Sequence, residues 1–170
     1  MGWLLNISLL VAGALLLVWV FQRSLIYIPF GVVPSPDKVG LRDVEHVTFQ
    51  TADGLTLNGW FIPGQATRSA WTVLVFNGNA GNRGHRAPLA TALADYGHHV
   101  LLFDYRGYGD SEGQPSEQGT HLDVAAAWKY LVGEKGIDPG QIIVVGRSLG
   151  GPMAAKLARD HRPAALFLEA

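Results

Sequence analysis

Four short runs, "TVLVF" (72–76), "HVLLF" (99–103), "IIVV" (142–145) and "AALFL" (164–168), are almost unbroken apolar β-formers. A strand with one wet face alternates in polarity, so an unbroken run demands cover on both faces, the condition of parallel strands in an α/β sheet. Between these runs the spacing predicts helices over about 83–96, 117–134 and 149–160. Strand alternating with helix implies right-handed βαβ units and an open, mostly parallel sheet. Upstream, "VEHVTFQ" (44–50) alternates, "TADG" turns, and "LTLNGWFI" (55–62) follows. That is an antiparallel hairpin, bringing the expectation to about six strands.

The first 22 residues carry no charged side chain, and residues 3–21 contain only Asn6 and Ser8 as polar interruptions. Nineteen helical residues span about 28 Å, close to the roughly 30 Å hydrocarbon core of a bilayer. Trp3, Trp19 and Tyr27 fall where interfacial aromatics belong. A cleaved signal peptide should have a basic start and a shorter apolar stretch, and Met1-Gly2 supplies no basic side chain. The expectation is a retained single-pass anchor over 1–22, a linker over 23–43 broken by Pro29, Pro34 and Pro36, and a globular domain over 44–170. Arg23 and Lys38 on the C-terminal side are too few to set the orientation. The net charge of −1 offers no reason to expect nucleic acid. Without cysteine the chain has no disulfides, thiol catalysis or thiolate metal site, and its histidines form no metal-ligand cluster.

Ligand crevices of open α/β sheets lie at the carboxyl ends of the strands. There this chain places "NGNAGNRGH", "DYRGYGDSEGQPS" and "GRSLGG". The last is a G-x-S-x-G pattern between a strand and a helix, the context of a nucleophile elbow, with Ser148 as the nucleophile. Gly146 and Gly150 leave room for neighbouring atoms, and Gly151 with Ala154 lets the helix approach the sheet. A helix N-terminus at the hydroxyl favours developing negative charge. An oxyanion hole needs the amide after the nucleophile, Leu149, and one from an earlier loop, where Asn79 follows the permissive Gly78. In "DYRGYGDSEG" no helix opens on Gly107, Gly109 or Gly113 and Pro115 intervenes, so it reads as a crevice floor in which Asp104 and Arg106 fix the turn, not as a nucleotide loop.

In this order, the apolar start, the hairpin, "NGNAGN", "FDYRGYGDSEG" and "GRSLGG" resemble the membrane-anchored α/β hydrolases of the serine-aminopeptidase-like group, which is similar to esterases, lipases and acyl-protein thioesterases. The resemblance implies Ser148 as nucleophile, Leu149 and Asn79 as oxyanion donors, and ester, thioester or amide hydrolysis without a cofactor. Its implied substrates are small molecules or acylated proteins. The family usually has His-Gly where this chain has Asn77-Gly78.

The order in this fold is Ser, then Asp or Glu, then His, and only 22 residues follow Ser148. Asp160 and His161 lie roughly 18 Å along the following helix, beyond hydrogen-bonding reach. Glu169 ends the next strand with no histidine to orient. His98 and His99 open a strand at the wrong edge, His46 lies in the hairpin, and His85 and His121 lie nearer the right face as weak substitute bases. The doubly buried pattern of 164–168 would leave an open, apolar edge prone to self-association. The expectation is a C-terminally truncated hydrolase of low activity; the alternative is a non-catalytic, membrane-tethered binding module using that edge.

Overall fold

The computed structural model describes residues 2–65 and 71–170. Its elements are α1 (Gly2–Ile26), β1 (Glu45–Gln50), β2 (Thr56–Ile62), β3 (Thr72–Phe76), α2 (Ala87–Asp95), β4 (His99–Phe103), α3 (Glu117–Lys129), β5 (Ile142–Arg147), α4 (Gly150–His161) and β6 (Ala165–Glu169). Six strands form one mixed sheet in the order β1-β2-β4-β3-β5-β6. The hairpin pairs antiparallel, with Val47 opposite Gly59, and β2 runs antiparallel to β4 with Gly59 opposite Phe103. From β4 through β3 and β5 to β6 every pairing is parallel.

The unbroken apolar runs are explained by cover on both faces. Leu74, Phe76, Leu101, Phe103, Ile142 and Val144 pack with Val124, Ala127 and Trp128 of α3 and with Met153, Ala154 and Leu157 of α4. On the other face Val73, Val75, Val100 and Leu102 pack with Ala87, Ala90 and Ala94 of α2. All five residues of β3 are buried. Fully burying each of its large apolar side chains contributes roughly 1.5–3 kcal/mol, before the entropy of ordering the chain is subtracted. Only β6 departs from this pattern: Phe167 and Leu168 are 59% and 58% exposed.

The predicted helices appear with altered ends. The first begins as a 3₁₀ turn, Arg83–Arg86, because the Asn82 side chain accepts from Gly84 and the His85 side chain closes a reciprocal cap. Helix α3 is capped by Ser116, whose hydroxyl accepts from Gly119, and continues into a π turn, Tyr130–Glu134. Helix α1 buries no residue in the protein and is the one described helix long and apolar enough to cross a membrane. The proline-rich stretch after it contains a 3₁₀ turn, Pro36–Val39, and an isolated parallel bridge between Ile28 and Ala80. It lies against the domain, with Tyr27 and Leu41 buried.

Candidate active site

Ser148 stands between the last residue of β5 and the first of α4, where the chain reverses. Its φ is +48°, the left-handed region that non-glycine residues seldom occupy. Two glycines make the reversal sterically possible. A Cβ on Gly146 would stand 2.6 Å from the Ala154 Cβ and 2.7 Å from the Gly150 carbonyl oxygen, and a Cβ on Gly150 would collide with the Phe76 carbonyl. Gly151 has no such role: nothing lies within 4 Å of its would-be Cβ. The close approach of α4 therefore comes from Gly146, Gly150 and Ala154, which corrects the expectation for Gly151. It faces away because it is one step further round the helix.

The Ser148 side chain is exposed and has no hydrogen-bond partner among the described residues. Its backbone N–H donates to the Glu169 carbonyl oxygen at 2.7 Å, so the end of β6 braces the elbow. The Glu169 carboxylate approaches Arg147 Nε at 3.3 Å, with both side chains exposed. Unlike α3, α4 begins without a side-chain cap; the Gly151 amide donates to the Ser148 carbonyl oxygen at 2.9 Å, and the Leu149 and Gly150 amides have no described acceptor.

The loop after β3 faces this elbow. A Cβ on Gly78 would stand 3.7 Å from both the Ser148 Cβ and the Arg147 carbonyl oxygen, a comfortable distance that puts the residue preceding Asn79 beside the serine. The loop is held from behind by donors aimed at its carbonyls. Tyr105 donates its hydroxyl to the Asn77 oxygen at 3.1 Å, Tyr108 to the Asn79 oxygen at 2.8 Å, and the Ile28 amide also donates to the Asn79 oxygen at 2.9 Å. Asn77 Nδ2 donates to the Phe103 carbonyl at 2.8 Å. With the Asn79 carbonyl engaged twice on one side, no described acceptor takes its amide. These tyrosines, Ile28 and Arg83 were not singled out in the sequence. The spacing of "DYRGYG" holds two phenols but cannot tell which carbonyl each will meet.

Asp104 and Arg106 do hold the crevice floor, through partners outside their own turn. Asp104, 1% exposed, accepts from the Arg83 amide at 2.6 Å and pairs with its guanidinium, while burial pushes its carboxyl upward against that pull. Arg106 bonds Asp123 through its amide and Nε, both at 2.9 Å, and reaches Asp53 at 2.8 Å. Gly109 has a φ of +52° and comes so close to Asp104 that any side chain there would displace the carboxylate.

The histidines divide by position. His85 lines a cavity of about 150 Å³ with Asn77, Arg86, Arg147 and Glu169, but its Nδ1 accepts from the Asn82 amide and its ring lies 5.2 Å from that of Phe30. Burial, then the Arg147 charge, lowers the Arg86 pKa in this cavity. His121 lies between α3 and α4 beside Leu157 and Asp160. His161 stacks on Trp128 at 5.2 Å, and Asp160 is paired at the surface with Lys156 and Arg159 at 2.7 and 2.8 Å, so both finish α4 as expected. His99 Nδ1 accepts from the Gly64 amide and His46 packs edge-on to Trp60. No histidine bonds Ser148, and no group of three acids or histidines could hold a metal ion among the described residues.

A six-stranded mixed sheet with a strand–turn–helix serine and a glycine loop opposite it defines a fold class, and comparison with known proteins agrees. The profile of the alpha/beta hydrolase fold matches residues 72–166, and the chain belongs to that family. It is 47% identical over 163 residues to an uncharacterized protein of Mycobacterium tuberculosis, covering 95% of this chain and 58% of the relative. It is 38% identical to the alpha/beta hydrolase domain-containing protein WAV2 of Arabidopsis thaliana, over 95% of this chain and 55% of that one. Among solved structures it resembles the Pyrococcus furiosus esterase Pf2001, with a TM-score of 0.68 and 26% identity over 81% of this chain and 54% of the esterase. The chain thus spans little more than half the length of these relatives.

Proposed function

We propose that this chain is part of a serine hydrolase that cleaves ester, thioester or amide bonds through an acyl-Ser148 intermediate. Residues 1–22 serve as a single-pass membrane anchor, 23–43 connect, and 44–170 form the hydrolase portion. The observation that carries this reading is Ser148 itself: an exposed hydroxyl at φ +48°, between two glycines that admit no side chain and opposite the Asn79 loop. Backbone strain of this kind persists where the surroundings enforce it, and such positions cluster at active sites.

The chemistry follows from the parts. Ser148 Oγ attacks the substrate carbonyl carbon as its proton passes to a base. The carbonyl oxygen becomes an oxyanion, received by the Leu149 amide at the start of α4 and the Asn79 amide of the loop after β3. Collapse expels the protonated alcohol, thiol or amine and leaves the acyl-serine, and water then adds by the same steps to release the acid. No described residue acts as the base at Ser148, so the proposal assigns the histidine and its acid to a segment outside these 170 residues. The span of 58% on the M. tuberculosis relative supports that assignment. Substrates are small acyl compounds or acylated proteins, and no cofactor is required.

The test is fluorophosphonate labelling and ester hydrolysis by the 170-residue chain, alone and fused to the C-terminal part of the M. tuberculosis relative. Sites that keep the oxyanion hole but lose triad members retain about 10³–10⁴ over water. The chain alone should label slowly and the fusion orders of magnitude faster, a gain that Ser148→Ala abolishes. Rapid labelling of the chain alone would refute the missing base. The exposed Phe167 and Leu168 favour a second reading, a membrane-tethered binding module. A folded fusion that never labels would support it.

A further inference from the structure

Three side chains just beyond α1 take no part in this site. Ile28, Phe30 and Val32 are 44%, 53% and 91% exposed, and Pro29 and Gly31 between them are exposed as well, so residues 28–32 form one continuous exposed apolar stretch. The residues flanking the stretch turn inward: Tyr27 is buried, Val33 faces Gly109 and Pro34 faces Gly84. Helix α1 ends at Ile26, so the row starts two residues past a candidate span and continues its exposed apolar surface.

Two further observations identify what such a row fits. The first is charge. No acidic residue precedes Asp37, and Arg23 is the one basic residue before it. Of the nearby acids, Asp110 is paired with Arg83, and Glu117 lines a cavity with Arg23, Ile26 and Tyr27. The second is the backbone. Ile28 donates to the Asn79 oxygen at 2.9 Å and accepts from the Gly81 amide at 3.1 Å, and Pro29 has no N–H to satisfy. Asn82 Nδ2 donates to the carbonyls of Phe30 and Gly31 at 3.3 and 3.0 Å. Water is scarce below the headgroups, where an unsatisfied backbone group costs several kcal/mol. These bonds remove part of that cost, at Ile28 and at the Phe30 and Gly31 carbonyls.

We propose that Ile28, Phe30 and Val32 are a membrane footing: they insert into the headgroup–acyl boundary of the bilayer that α1 crosses and hold the Asn79 loop at the lipid surface. The footing rests on α1 spanning that bilayer. Continuity with the span, an uncharged flank and a backbone partly satisfied within the protein select a lipid surface at headgroup depth over a protein partner. The same hydrogen bonds that fit the segment for the interface tie it to the loop beside Ser148.

The chain has no cysteine, which permits single-cysteine labelling of the full-length protein. Val32→Cys, carrying an environment-sensitive nitrobenzoxadiazole fluorophore, is reconstituted in phosphatidylcholine vesicles containing lipids spin-labelled shallow or deep in the acyl chain. Leu10→Cys, within α1, and Tyr96→Cys, 82% exposed at the end of α2, are the controls. The Val32 label should be quenched several-fold more than the Tyr96 label by the shallow probe, and the Leu10 label best by the deep one. Leu10 quenched with Val32 no more quenched than Tyr96 overturns the footing and leaves the anchor standing. Leu10 unquenched overturns both. A Val32 label shielded from aqueous iodide but untouched by spin-labelled lipid means a protein covers the row, which also overturns the proposal. None of these readings depends on hydrolase activity.

Discussion

Adding one methyl group at either of two glycines in the Ser148 elbow should have opposite consequences. In Gly146→Ala the new Cβ would lie 2.6 Å from the Ala154 Cβ, 2.7 Å from the Gly150 oxygen and 3.0 Å from the Gly151 Cα. Carbon atoms prefer about 3.5–4.0 Å, so α4 must retreat by about 1 Å. All three obstructing atoms are backbone or Cβ, and no rotamer change can relieve them. Overpacking costs about 1–3 kcal/mol, and this geometry belongs in the upper half of that range. In Gly151→Ala the methyl group meets nothing within 4 Å, and the gain in helix propensity is about 0.5–1 kcal/mol. The variants should therefore differ by roughly 3 kcal/mol, or about 6–12 °C in Tm for a chain of this size. Thermal unfolding of the full chain in detergent, followed by near-UV circular dichroism, reads the difference. Gly146→Ala melting with the wild type would refute the claim that crowding at Gly146 seats α4 against the sheet.

The strain at Ser148 makes a second prediction: a left-handed residue with a Cβ costs roughly 1–2 kcal/mol, so Ser148→Gly should melt above Ser148→Ala, and equal melting temperatures would show that the +48° φ stores no strain. A third concerns pH. Burial raises the Asp123 carboxyl to about 6, against the opposing pull of Arg106. The folded value lies above the unfolded one of about 3.9, so the protonated group stabilises the fold at low pH, and that contribution is lost as pH rises from about 4 through 6. The loss is of order 3 kcal/mol. Urea unfolding of wild type and Asp123→Asn across that window should show a slope that the variant lacks, and parallel curves would contradict it.

How far the site was legible varies residue by residue. The apolar runs marked β3, β4 and β5 nearly to the residue, because a doubly buried strand excludes most polar side chains; the same rhythm marked β6, although its side chains are left exposed. Ser148, Gly146 and Gly150 stood out because a reversal from strand to helix leaves few residue types that fit. Gly151 was misread, since a sequence of glycines does not say which one faces the sheet; only the phase of α4 decides that. Tyr105 and Tyr108 were passed over although their hydroxyls hold the Asn77 and Asn79 carbonyls, because those partners lie 28 and 29 positions away. Arg83 was invisible for the same reason: a basic residue opening a helix is ordinary until Asp104 is found buried against it.

What the sequence determined by itself was local or periodic: hydrophobic rhythm that selects an α/β sheet, an uncharged stretch long enough to cross a bilayer, and glycines bracketing a serine. Each follows from forces that act within about twenty residues, so spacing alone is enough to read them. Only the tertiary structure decided which loops meet, because that depends on the strand order that sets β3 between β4 and β5. That order brings the Asn79 loop to Ser148 and places β6 where Glu169 can brace the elbow, while Ile28 bonds the same loop.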